Sequence, residues 1–224
     1  MNSLLTDVEV RVLGCLIEKS MTTPEYYPLT LHALTAACNQ KSNRAPVMAL
    51  DEETVTKALN ELRYTHHLAC QVSVAGSRVP KFSHDAVNKL PLTDLDLVLM
   101  CELMLRGPQT AGELRTHAKR LREIESVSAV ADAMSSLAAV EPDPMVVRLP
   151  PGPGHREPRY AHLLSGEVDV PPPSAHPIPA VSASNDQSPP RDERLATLEE
   201  KVDLLQSEVQ ALRETLNTFR SQFE

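Results

Sequence analysis

Six consecutive polar residues without a carboxylate, Asn39-Gln40-Lys41-Ser42-Asn43-Arg44, stand out in a 224-residue chain whose formal net charge is −8. Amide, ammonium and guanidinium groups hydrogen-bond phosphate oxygens and base edges, so Asn39, Gln40, Lys41, Asn43 and Arg44 are candidate DNA contacts. The same residue types also close a loop on itself, because Asn and Ser bond nearby backbone. A second set follows. Thr56, Lys57, Asn60 and Arg63 fall on the outward side of an amphipathic stretch and can donate to phosphates or bases, although Glu52, Glu53 and Glu61 oppose them. A third set, Arg78 and Lys81, flanks a turn, as do His155, Arg156 and Arg159 further on. Bases at such turns contact phosphates, and they also protect sheet edges.

Catalytic chemistry has no comparable support. His66, His67, His84 and His162 lack metal-ligand spacing, so no metal site is expected. No glycine-rich phosphate loop and no nucleophile motif occurs. A non-enzymatic protein without a cofactor is the expectation. Cys15, Cys38, Cys70 and Cys101 form no C-x-x-C pair. Cys15 and Cys101 sit in apolar patterns, as buried free thiols do, which suits a reducing compartment. The first residues lack a basic, apolar leader and no run reaches 18 apolar residues, so the expected location is the cytoplasm, with no membrane contact.

The elements that must position these residues are set out by an internal repeat of roughly 80 residues. Leu5-Thr6-Asp7-Val8-Glu9-Val10 matches Leu92-Thr93-Asp94-Leu95-Asp96-Leu97, and Arg78 to His84 matches Arg156 to His162. Each copy has three helices and then two short strands. In the first, Thr6 or Asp7 caps a helix to about Lys19 with Val8, Val12 and Leu16 on one face. A second helix runs from Leu31 to Cys38, and Asp51 caps a third to Tyr64. Strands are expected at Cys70–Val74 and Arg78–Phe82. In the second copy a helix spans Thr93–Leu105, Thr110 to Glu113 is a capping box, Ser126 caps the third helix, and strands cover Met145–Leu149 and Arg159–His162. The fold class is mainly α with small β wings: tandem winged helix-turn-helix domains over residues 1–90 and 91–168.

A different regime follows. Residues 169–193 carry seven prolines between Pro171 and Pro190, a linker composition. In residues 194–224, Leu195, Leu198, Val202, Leu205, Val209, Leu212, Leu216 and Phe219 alternate in steps of three and four. This is an a/d seam of about four heptads, ending in Phe223 at an a position, and predicts a parallel dimeric coiled coil. Charge is uneven: residues 1–90 hold 9 bases and 9 acids, 91–168 hold 8 and 11, and 169–224 hold 5 and 10. A basic footprint for nucleic acid must therefore be local.

Several segments resemble the YceH-like family of uncharacterised bacterial proteins. They include Leu13 to Lys19, Thr22-Thr23-Pro24-Glu25 with Tyr27-Pro28-Leu29, Ala37 to Arg44 with Pro46-Val47-Met48, and Leu105 to Thr110 with Gly112 to Arg115. Val146 to Leu149 and Arg156 to Val168 also fit. The resemblance covers about residues 4–168 and implies tandem winged-helix domains in bacterial cytoplasm, with no established activity.

Two functions follow as expectations. The first is a dimeric, non-catalytic DNA-binding regulator that works through the first domain. The second is a winged-helix adaptor that binds a protein partner without nucleic acid. The third helix of the second copy has no Lys or Arg. Its Ser128, Ala129, Asp132, Ser135 and Ser136 suit packing between domains or against a partner. The cations Arg115, Lys119, Arg120 and Arg122 lie earlier, diluted by Glu123 and Glu125.

Overall fold

Thr6 starts the first helix, α1 (Asp7–Thr22). Its hydroxyl accepts from the Glu9 amide while the Glu9 carboxylate accepts from the Thr6 amide at 2.8 Å. The computed structural model describes residues 4–74, 76, 78–151 and 157–168. The heptad residues Leu195, Leu198, Val202, Leu205, Val209, Leu212, Leu216 and Phe219 lie outside the described residues, as do the linker, His155 and Arg156.

After α1 come a single 3-10 turn (Pro24–Tyr26), β1 (Leu29–Thr30), α2 (Leu31–Cys38), α3 (Glu52–Tyr64), β2 (Ala69–Val72), β3 (Lys81–His84) and α4 (Ala86–Lys89). The second half repeats the order with α5 (Asp94–Arg106), β4 (Gln109–Thr110), α6 (Ala111–Ala118), α7 (Val127–Ala138), β5 (Val146–Leu149) and β6 (Arg159–His162). Side-chain caps set the helix starts. Thr30, Asp51, Thr93, Thr110 and Ser126 each accept a backbone amide three residues on. The described residues are thus mainly helical, with two three-stranded antiparallel sheets among them, ordered β1-β3-β2 and β4-β6-β5. Their registers correspond: Leu29 faces Phe82 in one sheet and Gln109 faces Tyr160 in the other.

Two differences from the sequence reading have simple causes. The two strands of the first hairpin lie further from its turn than expected, at Ala69–Val72 and Lys81–His84, because Leu68 and Ala69 are buried while Ser73, Val74, Arg78, Val79 and Pro80 are exposed. The strands β1 and β4 are two residues long, too short to show a period, yet each completes a sheet.

The larger difference is in α1 and α5. A one-faced stripe was expected in α1, but every residue from Glu9 to Glu18 is buried, and so is every residue of α5 from Asp96 to Leu105. A helix buried on all sides must be covered on all sides. The two helices cover each other, and the buried residues of both halves form one cluster. Gly14 permits the close approach: a Cβ there would lie 2.9 Å from Leu105 Cδ2 and 3.2 Å from Met104 Cβ. Cys101 Sγ donates to the Gly14 carbonyl at 3.4 Å. Backbone bonds join the halves at two more points: the Ala45 amide donates to Leu105 O at 2.9 Å and the Leu5 amide to Leu164 O at 2.8 Å. The halves therefore meet through α1 and α5. The helix α7, read from sequence as a packing face between domains or against a partner, packs on α5, α6 and β5 within its own half and leaves Ser128, Asp132, Ser135 and Ser136 exposed.

Candidate functional site

The three candidate sets differ in role. On α3, Lys57 and Asn60 are exposed. Lys57 Nζ pairs with Glu53 at 2.7 Å, one turn back, and both side chains are about three-quarters exposed. Such a pair is worth roughly 0.3–0.5 kcal/mol and gives way easily. Thr56 is half-buried and its hydroxyl donates to Glu52 O at 2.7 Å. Arg63 lies over the Tyr64 and Phe82 rings and donates to Gln71 Oε1 at 3.1 Å, tying α3 to β2 and β3. Arg78 is exposed beyond the β2 strand, and Lys81 is half-buried in β3.

The polar loop behaves differently. Lys41 and Ser42 are exposed at its tip, but Asn39 is spent on Leu50: its amide nitrogen donates to Leu50 O at 2.7 Å and its oxygen accepts from Leu50 N at 2.8 Å. Gln40 Oε1 accepts from Arg44 Nη2 at 3.1 Å. Arg44 is 6% exposed and points inward. It donates to the Ala37 carbonyl, to Glu18 Oε1 at 3.0 Å and to Glu18 Oε2 at 2.5 Å. A buried guanidinium held by a buried carboxylate does not reach a phosphate without taking from that carboxylate its two-point partner, which is strongly unfavourable in a buried site. Asn39 and Arg44 thus build the fold, and of the loop Lys41 remains free to face a partner.

Glu18 is the centre of an ionic junction between the halves. Arg120, from the turn after α6, donates to Glu18 Oε1 and pairs with Glu102 Oε1 at 2.8 Å. Arg106 Nε donates to Glu102 Oε2 at 3.0 Å, and its Nη2 donates to Asn43 Oδ1 at 2.5 Å. Both carboxylates have no solvent exposure. Burial alone would raise the Glu18 carboxyl, but hydrogen bonds from Arg44 and Arg120 and their charges outweigh it and bring it down to about 2. The same contacts hold the Arg44 and Arg120 guanidiniums above their ordinary value against the opposing effect of burial.

Sequence reasoning missed this junction and placed Arg120 in a diluted basic patch. That patch is dismantled here: Arg115 donates to the Ile124 and Glu125 carbonyls, and Arg122 pairs with Asp94 at 3.6 Å. The available signal was Glu18 and Glu102 themselves. A carboxylate within an otherwise apolar helix requires a buried partner. Among the described residues, no group of three or more His, Cys, Asp or Glu could hold a metal ion, and no helix is long and apolar enough to cross a membrane.

A family profile described as "Protein of unknown function, DUF480" matches residues 5–155. The chain belongs to the DUF480 family. It is 49% identical to a UPF0502 protein of Geobacter sulfurreducens over 233 residues, covering 100% of each chain. A UPF0502 protein of Geotalea uraniireducens is 48% identical over 98% of each chain, and one of Aliivibrio fischeri is 42% identical over 96% of this chain and 97% of its own. Within this DUF480 chain, the matched span takes in α3, its hairpin and the whole ionic junction.

Proposed function

We propose that this DUF480 protein is a non-catalytic cytoplasmic DNA-binding regulator made of two winged-helix units, dimeric through a coiled coil at residues 194–224. The order helix, short strand, helix, helix, hairpin occurs twice, and this order supports the winged-helix reading. The observation that carries the reading is the rigid pairing of α3 with its hairpin. Arg63 fastens the helix to β2 through Gln71 and stacks on Phe82 of β3, while Lys57 and Asn60 on α3 and Arg78 beside the hairpin stay exposed. A helix for the major groove and a wing for the neighbouring phosphates are then held as one body. Lys41 and Lys81 extend the same set of cations.

The test is anisotropy titration of duplex DNA across a salt series, with wild type, Lys57→Ala and Arg78→Ala. Each lost phosphate contact should weaken binding on all sequences and lower the salt slope by about 0.9. Unchanged affinity and slope in both variants overturn the assignment of this surface.

A second reading rests on Glu52, Glu53 and Glu61, which are exposed on the same helix and oppose phosphate. They favour a protein partner with a basic surface. A chain that binds no duplex at low salt but captures a basic protein partner through α3 supports that reading instead.

A further inference from the structure

Beside the ionic junction lies a cleft of 270 Å³, lined by Asn43 and Arg106 with Pro108, Gln109, Glu113 and His117. It lies outside the surface assigned to DNA. Two of the stretches behind the family resemblance, Ala37 to Arg44 and Leu105 to Arg115, meet here.

The polar groups of the cleft are fixed by their neighbours. Gln109 is buried, and its Nε2 donates to Glu102 O at 3.0 Å and Gly107 O at 3.3 Å. Those two bonds set the amide so that Oε1 faces His117 Nδ1 at 2.6 Å. An amide oxygen only accepts, so Nδ1 carries the proton and the neutral ring keeps Nε2 as a bare acceptor. Among the described residues Nε2 has no partner. Burial, and then the Arg106 charge, push the His117 imidazole below its ordinary value, which favours this neutral form. Arg106 spends Nε on Glu102 and Nη2 on Asn43, leaving the Nη1 donors without a partner among the described residues. Asn43 holds φ at 59°, in the left-handed region, with its oxygen on Arg106 and its amide nitrogen likewise unpartnered among the described residues. Glu113, at the edge, has Oε2 on the Thr110 amide at 2.8 Å.

Charge points the same way. Arg11, Lys19, Arg44, Arg106 and Arg120 gather around two carboxylates, Glu18 and Glu102. In a chain of net charge −8, this neighbourhood carries more cations than anions. Of these guanidiniums, Arg106 and Arg44 line the cleft, and Arg44 is spent on Glu18.

We propose that the cleft binds a phosphate group bearing its own O–H, either free hydrogen phosphate or the singly protonated monoanion of a small phosphomonoester. Arg106 Nη1 and Asn43 Nδ2 donate to its oxygens, and its hydroxyl donates to His117 Nε2. A phosphodiester of DNA and a sulfate dianion both lack that hydroxyl, leave Nε2 facing an oxygen lone pair, and are rejected. Occupancy would couple Asn43 of the first half to His117 of the second, so the ligand acts at the contact between halves. The proposal is independent of DNA binding.

Calorimetric titration of the full chain with phosphate, glycerol 3-phosphate, sulfate and dimethyl phosphate tests it without any mutation. The expected result is saturable binding of one or both of the first two, at least about tenfold tighter than sulfate or dimethyl phosphate, since a site built for a hydroxyl discriminates against analogues lacking it. The stronger of the first two identifies the source of the group. Arg106→Gln and His117→Gln should each lower affinity about tenfold or more, while Lys119→Ala, on an exposed neighbour, leaves it unchanged. Nitrogen-15 shifts of the His117 ring should report a proton on Nδ1 in the free protein and a perturbed Nε2 on titration with phosphate. Failure of both phosphates to bind, equal binding of sulfate, or a free ring protonated on Nε2 alone overturns the proposal.

Discussion

Arg44 reaches Glu18 across 26 residues of sequence and closes on it at 2.5 Å, with neither side chain exposed to solvent. The pair welds the polar loop to the middle of α1, and through Arg120 the same carboxylate holds the second half.

Breaking one member should cost more than removing both. Arg44→Met leaves the Glu18 carboxylate short of its main partner and should destabilise by about 3–5 kcal/mol. The double variant Glu18→Leu with Arg44→Met should lose less than the sum of the singles, because no buried charge is left alone. Thermal and urea unfolding of the four proteins measure this. Additive losses would show that the two side chains act independently.

Acid should destabilise the protein in two stages. Burial lowers the His84 and His162 imidazoles, and each has Nδ1 buried without a hydrogen-bond partner among the described residues. Their folded values lie below the unfolded value of 6.5, so the unfolded chain takes up protons first and stability begins to fall as pH drops below about 6.5. Glu18 follows, with its folded value at about 2 against 4.5 unfolded. Its contribution is complete above about 4.5 and is lost as pH falls towards 2. Melting temperature against pH should therefore lose the lower stage in Glu18→Gln and keep the upper one. A variant profile parallel to wild type between pH 4.5 and 2 would remove Glu18 from this account.

At Gly14 the two halves approach closely. A valine there must displace Leu105 and Met104, and should cost about 1–3 kcal/mol by overpacking. Alanine is gentler, because lower backbone entropy in the unfolded chain offsets part of the clash. Hydrogen exchange at the Ala45 amide, which donates to Leu105 O, reports the junction directly. Faster exchange there in Gly14→Val is expected, and unchanged exchange would place the strain elsewhere.

Full-length protein should be a dimer at micromolar concentration, and a chain ending at Pro190 should be a monomer, because only the longer form carries the heptad run Leu195 to Phe219. Light scattering of both forms decides it. A monomeric full-length chain refutes the coiled coil.

Capping residues were the most legible part of the sequence. Thr6, Thr30, Asp51, Thr93, Thr110 and Ser126 act within three residues of themselves, so local pattern suffices to find most of them. The ionic junction was opaque for the opposite reason. Arg120 and Glu18 are 102 residues apart, and nothing local distinguishes Arg120 from Lys119, which faces solvent. The polar loop misled for a related reason. Arg44 and Lys41 are equivalent in a string of letters, and burial alone makes one a tie within the fold and leaves the other available to a partner.

The mutual burial of α1 and α5 bears on how the chain is made. Synthesis finishes α1 at Thr22 long before α5 is complete at Arg106. At ~5–20 residues per second, the apolar side of α1 that α5 later covers stays wet on the ribosome for several seconds. The nascent first half is therefore sticky until its counterpart emerges, and truncated translation products of this protein should be handed to chaperones or proteases rather than accumulate as a folded half.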